Sequence, residues 1–241
     1  MNRFFVAGSW QIGDEVVLGE TQAHQICQVL RLRPQQNIIL LDNRGLAYQM
    51  SLTHIHKREV RGRVTALFPA SGEPTTHLTL YQGLLKADKF EWVLQKGTEV
   101  GVSRFVPVVT ERTVVTEVSP NKQARWERIL TEAAEQAGRG RVPELLAPLS
   151  FREALNSIPP TTLALIPWEN ETHTTLTAAA TRAISTIALF IGPEGGWSAS
   201  EIEAGRVGGC IPITLGRRIL RAETAAVVAA ALVLYQQGDM Q

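Results

Sequence analysis

The chain holds two cysteines in 241 residues, Cys27 and Cys210, each among apolar neighbours and neither in a CxxC pair. That excludes a disulfide framework and a thiolate zinc site, and fits reduced thiols in a cytoplasmic protein. No charge dominates either: 24 Lys and Arg stand against 23 Asp and Glu, a net charge of +1, so the overall balance points to no nucleic-acid partner. Long apolar runs are missing. The longest, residues 225–235, falls well short of the roughly 20 residues that cross a bilayer and reads as a buried helix. The apolar segment in MNRFFVAGSWQIGDE is too short for a secretory signal. Internal repeats and low-complexity tracts are absent, as is a P-loop. GRGRVP fails the dinucleotide fingerprint, because proline replaces the third glycine and no strand leads into it. His24, His54, His56 and His77 lack metal-ligand spacing, and His173 merely follows a candidate loop.

What is present is an ordinary globular composition, 44% hydrophobic and 20% charged, in a chain long enough to bury a core in one large or two modest domains. The stretch FPASGEPTTH, residues 68–77, reads as a linker. Before it come short β-rich runs, RFFV, EVVL, NIILLD, AYQMSLTHI and VRGRVTALF, interrupted by one helix pattern, TQAHQICQVLRL, that stops before Pro34. Many short strands in so few residues predict a small barrel. After the linker, near-continuous apolar strands alternate with amphipathic helices, which predicts a parallel sheet covered on both faces. The expected organisation is therefore α/β, with a barrel over residues 1–72 and a parallel-sheet domain over 73–241. Ligands of such sheets bind beyond the carboxyl ends of the strands. That brings together three segments: IPWEN, GPEGG and LGRRILRAET.

The GPEGG corner, residues 192–196, is followed by a helix start written firmly into the sequence. Ser198 with Glu201 forms a capping box, and Trp197 with Ile202 has the spacing of a hydrophobic staple. The glycines permit positive φ and close approach of a ligand to the backbone; a plain tight turn accounts for them equally well. A phosphate would welcome the helix N-terminus but not Glu194, so a neutral or cationic ligand fits better. The third segment crowds Arg217, Arg218, Arg221 and Glu223 at the start of an alanine-rich helix, which packing alone does not explain. Cations also cluster in HKREVRGR and GRGR, where most such clusters are solvated surface.

At these residues the chain resembles a known family. LFIGPEGGWSASEIE and LGRRILRAETAAVVAA look like the two signature segments of SPOUT methyltransferases of the RsmE type. The likeness extends through LLKADKFEWVLQKGTEVGVSRFVPVVTERT and RWERILTEAAEQAGRGRVPEL to the N-terminal NRFFV and HQICQVLRLRPQQNIILLDNRG, which resemble that family's PUA-like RNA-binding barrel. Taken as a resemblance, it implies a C-terminal SPOUT domain closed by a trefoil knot, S-adenosylmethionine (SAM) as cofactor, no metal, and a homodimer. The implied reaction methylates N3 of a uridine in 16S rRNA, free or in the 30S ribosomal subunit. Carried over by position, Pro167, Gly192, Glu194, Gly195, Gly196, Leu215, Gly216, Ile219 and Leu220 line the cofactor pocket. A sulfonium tolerates Glu194, and adenine suits the apolar walls. Arg221 is expected to meet charge on the uracil oxygens, with Glu223 either the base or a support for Arg221. Arg3, Arg31, Arg33, Arg139 and Arg141 are the expected RNA contacts. Two rival readings stay open: a related enzyme acting on another RNA such as a transfer RNA, and a non-catalytic RNA-binding assembly factor.

Overall fold

A computed structural model describes residues 1–180 and 184–240. The chain divides into two compact units, Met1–Glu73 with Ala134–Val142, and Pro74–Ala133 with Pro143–Gln241.

In the first unit, β1 (Arg3–Phe5), β2 (Glu15–Leu18), β3 (Asn37–Leu41), β4 (Leu46–Ile55) and β5 (Val60–Pro69) form one sheet in the order β1-β3-β4-β5-β2. β1 runs parallel to β3 and the remaining pairs are antiparallel. Phe4 from one edge strand and Val16 and Leu18 from the other share a single buried cluster with Ile38, Leu40, Tyr48, Met50, Val60 and Val64. A flat sheet cannot bring its two edges to one core, so this one wraps; irregularities at Gln49/Met50 and Leu52/His54 give β4 the bends it needs. The expected barrel is thus a wrapped five-stranded sheet whose edges β1 and β2 do not pair. The helix after β2 is α1 (Glu20–His24), continued by π-type turns over Gln25–Val29. It ends earlier than Pro34 requires, because Arg31 takes a left-handed backbone, φ 52°.

Residues 134–142, which the sequence reading puts in the second domain, pack in this first unit. Arg139 is buried and grips Glu73 through two donor–acceptor pairs, Nε–Oε1 at 3.2 Å and Nη2–Oε2 at 2.7 Å. Glu73 Oε1 also accepts from the amides of Gly140 and Arg141. The stretch expected to be a free linker is therefore pinned at Glu73. It is pinned again at Thr75 and Thr76, whose amides donate to the Asp239 carboxylate.

The second unit is built on an all-parallel sheet. Its strands are β6 (His77–Gly83), β7 (Arg104–Val109), β8 (Glu144–Leu145), β9 (Leu149–Ser150), β10 (Leu163–Pro167), β11 (Thr186–Ile191) and β12 (Ile211–Ile213), in the order β12-β10-β11-β6-β7-β8, with β9 also on β7. The helices are α2 (Lys89–Val100), α3 (Pro120–Ala137), α4 (Phe151–Asn156), α5 (Leu176–Ala179), α6 (Ala199–Val207) and α7 (Ala222–Gln237). Alternate residues of the strands face opposite layers. Tyr81, Val106, Ala188 and Phe190 join Phe151, Ala154 and Ile202 of α4 and α6. α7 packs on β6 and β11 and against α2. The helix predicted over residues 174–184 is short, since Ala180 leaves helical geometry at φ −107°, ψ 93°; residues 181–183 lie outside the described residues. Cys210 is buried and its thiol is pushed up to about 12 by burial, whereas Cys27 is half-buried. No helix among the described residues is long and apolar enough to cross a membrane.

Candidate active site

The carboxyl ends of β10, β11 and β12 release three loops on the same side of the sheet, because all three strands run parallel. Trp168 N donates to Ile213 O and Thr214 N to Thr174 O, so the first and third loops are stitched together where they leave the sheet. Between the loops lies a cavity of about 960 Å³ lined by residues of all three, together with Lys89 from α2.

The GPEGG corner is a β-turn closed by Gly196 N donating to Pro193 O at 2.9 Å. Of its three glycines only Gly196 needs a left-handed backbone, φ 68°. The other two are required by space: a β-carbon on Gly195 would come 3.0 Å from Arg112 Cβ, and one on Gly192 3.3 Å from the Gly196 carbonyl carbon and the Trp197 ring. Arg112 also donates to Gly195 O at 2.8 Å. Beneath the turn, buried Gln82 donates from Nε2 to the carbonyls of Gly83 and Gly192. The capping box is formed, Ser198 Oγ accepting from Glu201 N and Glu201 returning to Ser198 N, and Trp197 and Ile202 share one buried cluster.

Glu194 does not reach into open space. It accepts from Lys86 N and from Lys89 Nζ, both at 3.2 Å. Burial pushes its carboxyl up, but its own amide, that of Lys86 and the Lys89 ammonium outweigh this and hold it below the usual carboxylate range. Lys89 Nζ also lies 4.0 Å from Glu223 Oε2, an oxygen that is buried and has no hydrogen-bond donor among the described residues. Glu223 makes no ion pair with Arg221, so the idea that it props that arginine finds no contact here. Arg221 occupies the N-cap of α7 without a capping side-chain bond and is exposed, as are Arg217, Arg218 and Ile219. Leu215 and Leu220 are half-buried on the lining, and Gly216 turns the loop at φ 101°.

All nine expected pocket residues, with Arg221 and Glu223, line this one cavity. The sequence reading missed Lys89, Trp168, Glu169, Glu171 and Thr214, which line it too. Glu169 and Trp168 stood within the IPWEN segment; for Lys89, the only sequence signal was its place beside Lys86 at the start of an amphipathic helix. His173 is exposed and is not on the lining; its amide donates to Glu171. Among the described residues no cluster of His, Cys, Asp and Glu has the arrangement of a metal site.

The five arginines expected to contact RNA lie in the first unit but are not alike. Arg31 and Arg33 are exposed, and their side chains have no hydrogen-bond or ion-pair partner among the described residues. Arg3 donates to Gly138 O, and Arg141 Nη2 to Arg44 O at 3.2 Å. Arg139, 2% exposed and ion-paired with Glu73, is an internal strut.

A parallel sheet that gathers three such loops over one cavity, in a chain that also carries a small β-rich unit, is the arrangement on which the comparisons with known proteins converge: it is that of an RNA methyltransferase domain joined to a PUA domain. The family model for the RNA methyltransferase domain matches residues 72–234, and that for the RNA methyltransferase PUA domain residues 18–65. The chain belongs to the ribosomal RNA small subunit methyltransferase E family. It is 36% identical to the Synechocystis member over 96% of this chain and 76% of that one, and 30% identical to the Bacillus subtilis member over 98% and 97%. The crystal structure of the Neisseria gonorrhoeae member bound to S-adenosyl methionine superposes with a TM-score of 0.90 at 32% identity, covering 98% of both chains. A Legionella pneumophila methyltransferase in complex with SAM gives 0.90 at 29%, over 98% and 97%.

Proposed function

We propose that this protein transfers the methyl group of SAM to N3 of a uridine in 16S rRNA, free or in the 30S ribosomal subunit, working as a homodimer in the cytoplasm. The observation that carries the reading is the convergence of residues 192–196, 214–223 and 167–171 on one cavity in a chain of this family. The cavity suits SAM. Its volume of about 960 Å³ lies within the range of small-molecule sites, roughly 300–1,000 Å³. Bare backbone at Gly196 gives close approach, and Leu215, Ile219 and Leu220 offer an apolar face to adenine. The path of the chain also favours a knotted closure: β12 lies beyond β10, so the chain leaving β11 must pass the loop after β10 to reach it.

SAM, when bound, supplies a methyl group on a cationic sulfur with a good leaving group. The protein's part is to position uracil N3 in line with that methyl group and to manage one proton. Arg221, with no competing partner among the described residues, meets the negative charge on the uracil oxygens and so makes N3–H more acidic. Glu223, which lines the same cavity two residues along, is assigned as the acceptor for that proton. Lys89 holds Glu194 at 3.2 Å and stands 4.0 Å from Glu223 Oε2. Arg31 and Arg33, the two unengaged cations of the expected five, are assigned to the RNA backbone.

Exposed Val228, Leu232 and Tyr235, four and three residues apart along α7, form an apolar stripe suited to a second copy of the chain. Methyl transfer from radiolabelled SAM to free 16S rRNA and to 30S subunits, followed by mapping of the modified base, tests the reaction. Label on another base, or none on 16S rRNA, refutes it. Light scattering should return twice the 26.5 kDa chain mass, and a monomer refutes the dimer.

A further inference from the structure

Four carboxylates line the cavity, Glu169, Glu171, Glu194 and Glu223. Two are held by hydrogen bonds, and a third, Glu223, is largely buried beside an ammonium. Glu171 Oε1 accepts from the amides of His173 and Thr174, at 2.8 and 3.0 Å, which holds its carboxyl below the ordinary range. Glu194 is taken by Lys86 N and Lys89 Nζ, and Glu223 lies within 4.0 Å of the same ammonium. Glu169 has neither hydrogen bond nor ion pair among the described residues. Its position is nevertheless defined: a β-carbon built on Gly196 would stand 3.2 Å from Glu169 Oε1 and 3.7 Å from Oε2. A carboxylate therefore lies against the one residue of the GPEGG turn that has bare, left-handed backbone.

We infer that Glu169 is the residue that recognises positive charge on the cofactor, an inference that rests on the SAM reading of this cavity. SAM carries two cations, the sulfonium and the α-ammonium, and a single carboxylate. A site that takes it needs an accessible anion without a resident partner; Glu223 Oε2 is buried beside the Lys89 ammonium, so among the described residues the exposed Glu169 is the lining carboxylate that meets this condition. The uncompensated cations Arg217, Arg218 and Arg221 all lie on the third loop, on a different segment from Glu169. The exposed unpaired charges of the cavity, among the described residues, are thus segregated by loop, negative after β10 and positive after β12, and this fixes which way round a dipolar cofactor enters. Gly196 is bare, on this account, so that the cation can lie between its backbone and the carboxylate.

The test is isothermal calorimetry of the full chain and Glu169→Gln with three ligands that share the adenosine: SAM, S-adenosylhomocysteine, which lacks the sulfonium, and 5′-methylthioadenosine, which lacks both cations. Glu169→Gln should weaken SAM about tenfold, as expected for losing a charge-assisted contact, and leave 5′-methylthioadenosine unchanged. Equal loss for S-adenosylhomocysteine identifies the ammonium as the group held; loss confined to SAM identifies the sulfonium. SAM binding unchanged in the variant, or 5′-methylthioadenosine weakened in step with SAM, overturns the inference. Failure of the unaltered chain to bind any of the three would refute the SAM reading itself, a result distinct from both.

Discussion

Lys89 Nζ lies 3.2 Å from Glu194 Oε1, so a residue at the start of α2 holds the middle of the turn that follows β11. The pair is partly exposed, 37% and 29% by side chain, which keeps its contribution small and sensitive to salt. Lys89→Met should weaken SAM binding by roughly threefold at low ionic strength. The difference from the unaltered protein should shrink in high salt. Calorimetry across a salt series checks this, and a loss that ignores salt would mean that Lys89 touches the cofactor directly.

Gly196→Val and Arg221→Ala should fail in different ways. At φ 68° a β-branched residue is strained, and its side chain would meet the Glu169 carboxylate and fill the approach to the turn. SAM affinity should collapse while RNA binding persists. If, as proposed, Arg221 meets charge that develops only during transfer, its loss should lower turnover on the order of 10²-fold with SAM affinity kept. Calorimetry and single-turnover methylation of 30S subunits separate the two effects. If Arg221→Ala loses both together, that arginine is a cofactor ligand.

The arginines of the first unit divide by burial. Arg139→Met removes the buried half of an ion pair whose carboxylate is partly exposed and should destabilise that unit by about 1–2 kcal/mol. Faster hydrogen exchange at the amides of β3–β5 would report it. Arg31→Glu with Arg33→Glu should leave exchange unaltered and weaken binding to 16S rRNA, with a shallower salt dependence.

Asp239 receives Thr75 N and Oγ1, each at 2.7 Å, and Thr76 N at 3.1 Å. Burial raises its carboxyl, but these bonds prevail and hold it below the ordinary value. A depressed carboxylate stabilises the fold above its unfolded pKa, about 3.9, and the contribution disappears as pH falls through the folded value. Asp239→Asn should therefore melt below the unaltered protein at about pH 7, and the gap should close as pH drops under about 4. Thermal melts at the two pH values suffice; a gap that persists in acid assigns the effect to packing.

The elements that local chemistry specifies were legible in the sequence. The Ser198–Glu201 box fixes the start of α6, and runs such as TIALFIG have no stable home except a strand buried on both faces. All three pocket loops followed from strand ends in a parallel sheet, which is a rule of topology. Burial of a charge was not legible: nothing near Arg139 in sequence announces Glu73, 66 residues away. Lys89 was missed for the same reason, since its partners Glu194 and Glu223 are brought by other segments, and Glu169 because its approach to Gly196 arises only when two loops meet. Gly192 and Gly195 were read as permitting positive φ, which only Gly196 adopts, because the sequence does not show Arg112 and Trp197 standing close to them.

The assignment of residues 134–142 to the first unit has a consequence for synthesis. The amino-terminal unit leaves the ribosome first, yet Arg139 and the amides that complete Glu73 follow only after residues 74–133 have been made. Until then Glu73 has no guanidinium, and β1 lacks the Glu135 carboxylate that receives the Phe5 amide. Vectorial folding, which ordinarily finishes domains in the order they are made, cannot finish this one early. The nascent wrapped sheet stays provisional through much of translation, and a ribosome that stalls between the two segments holds it unfinished.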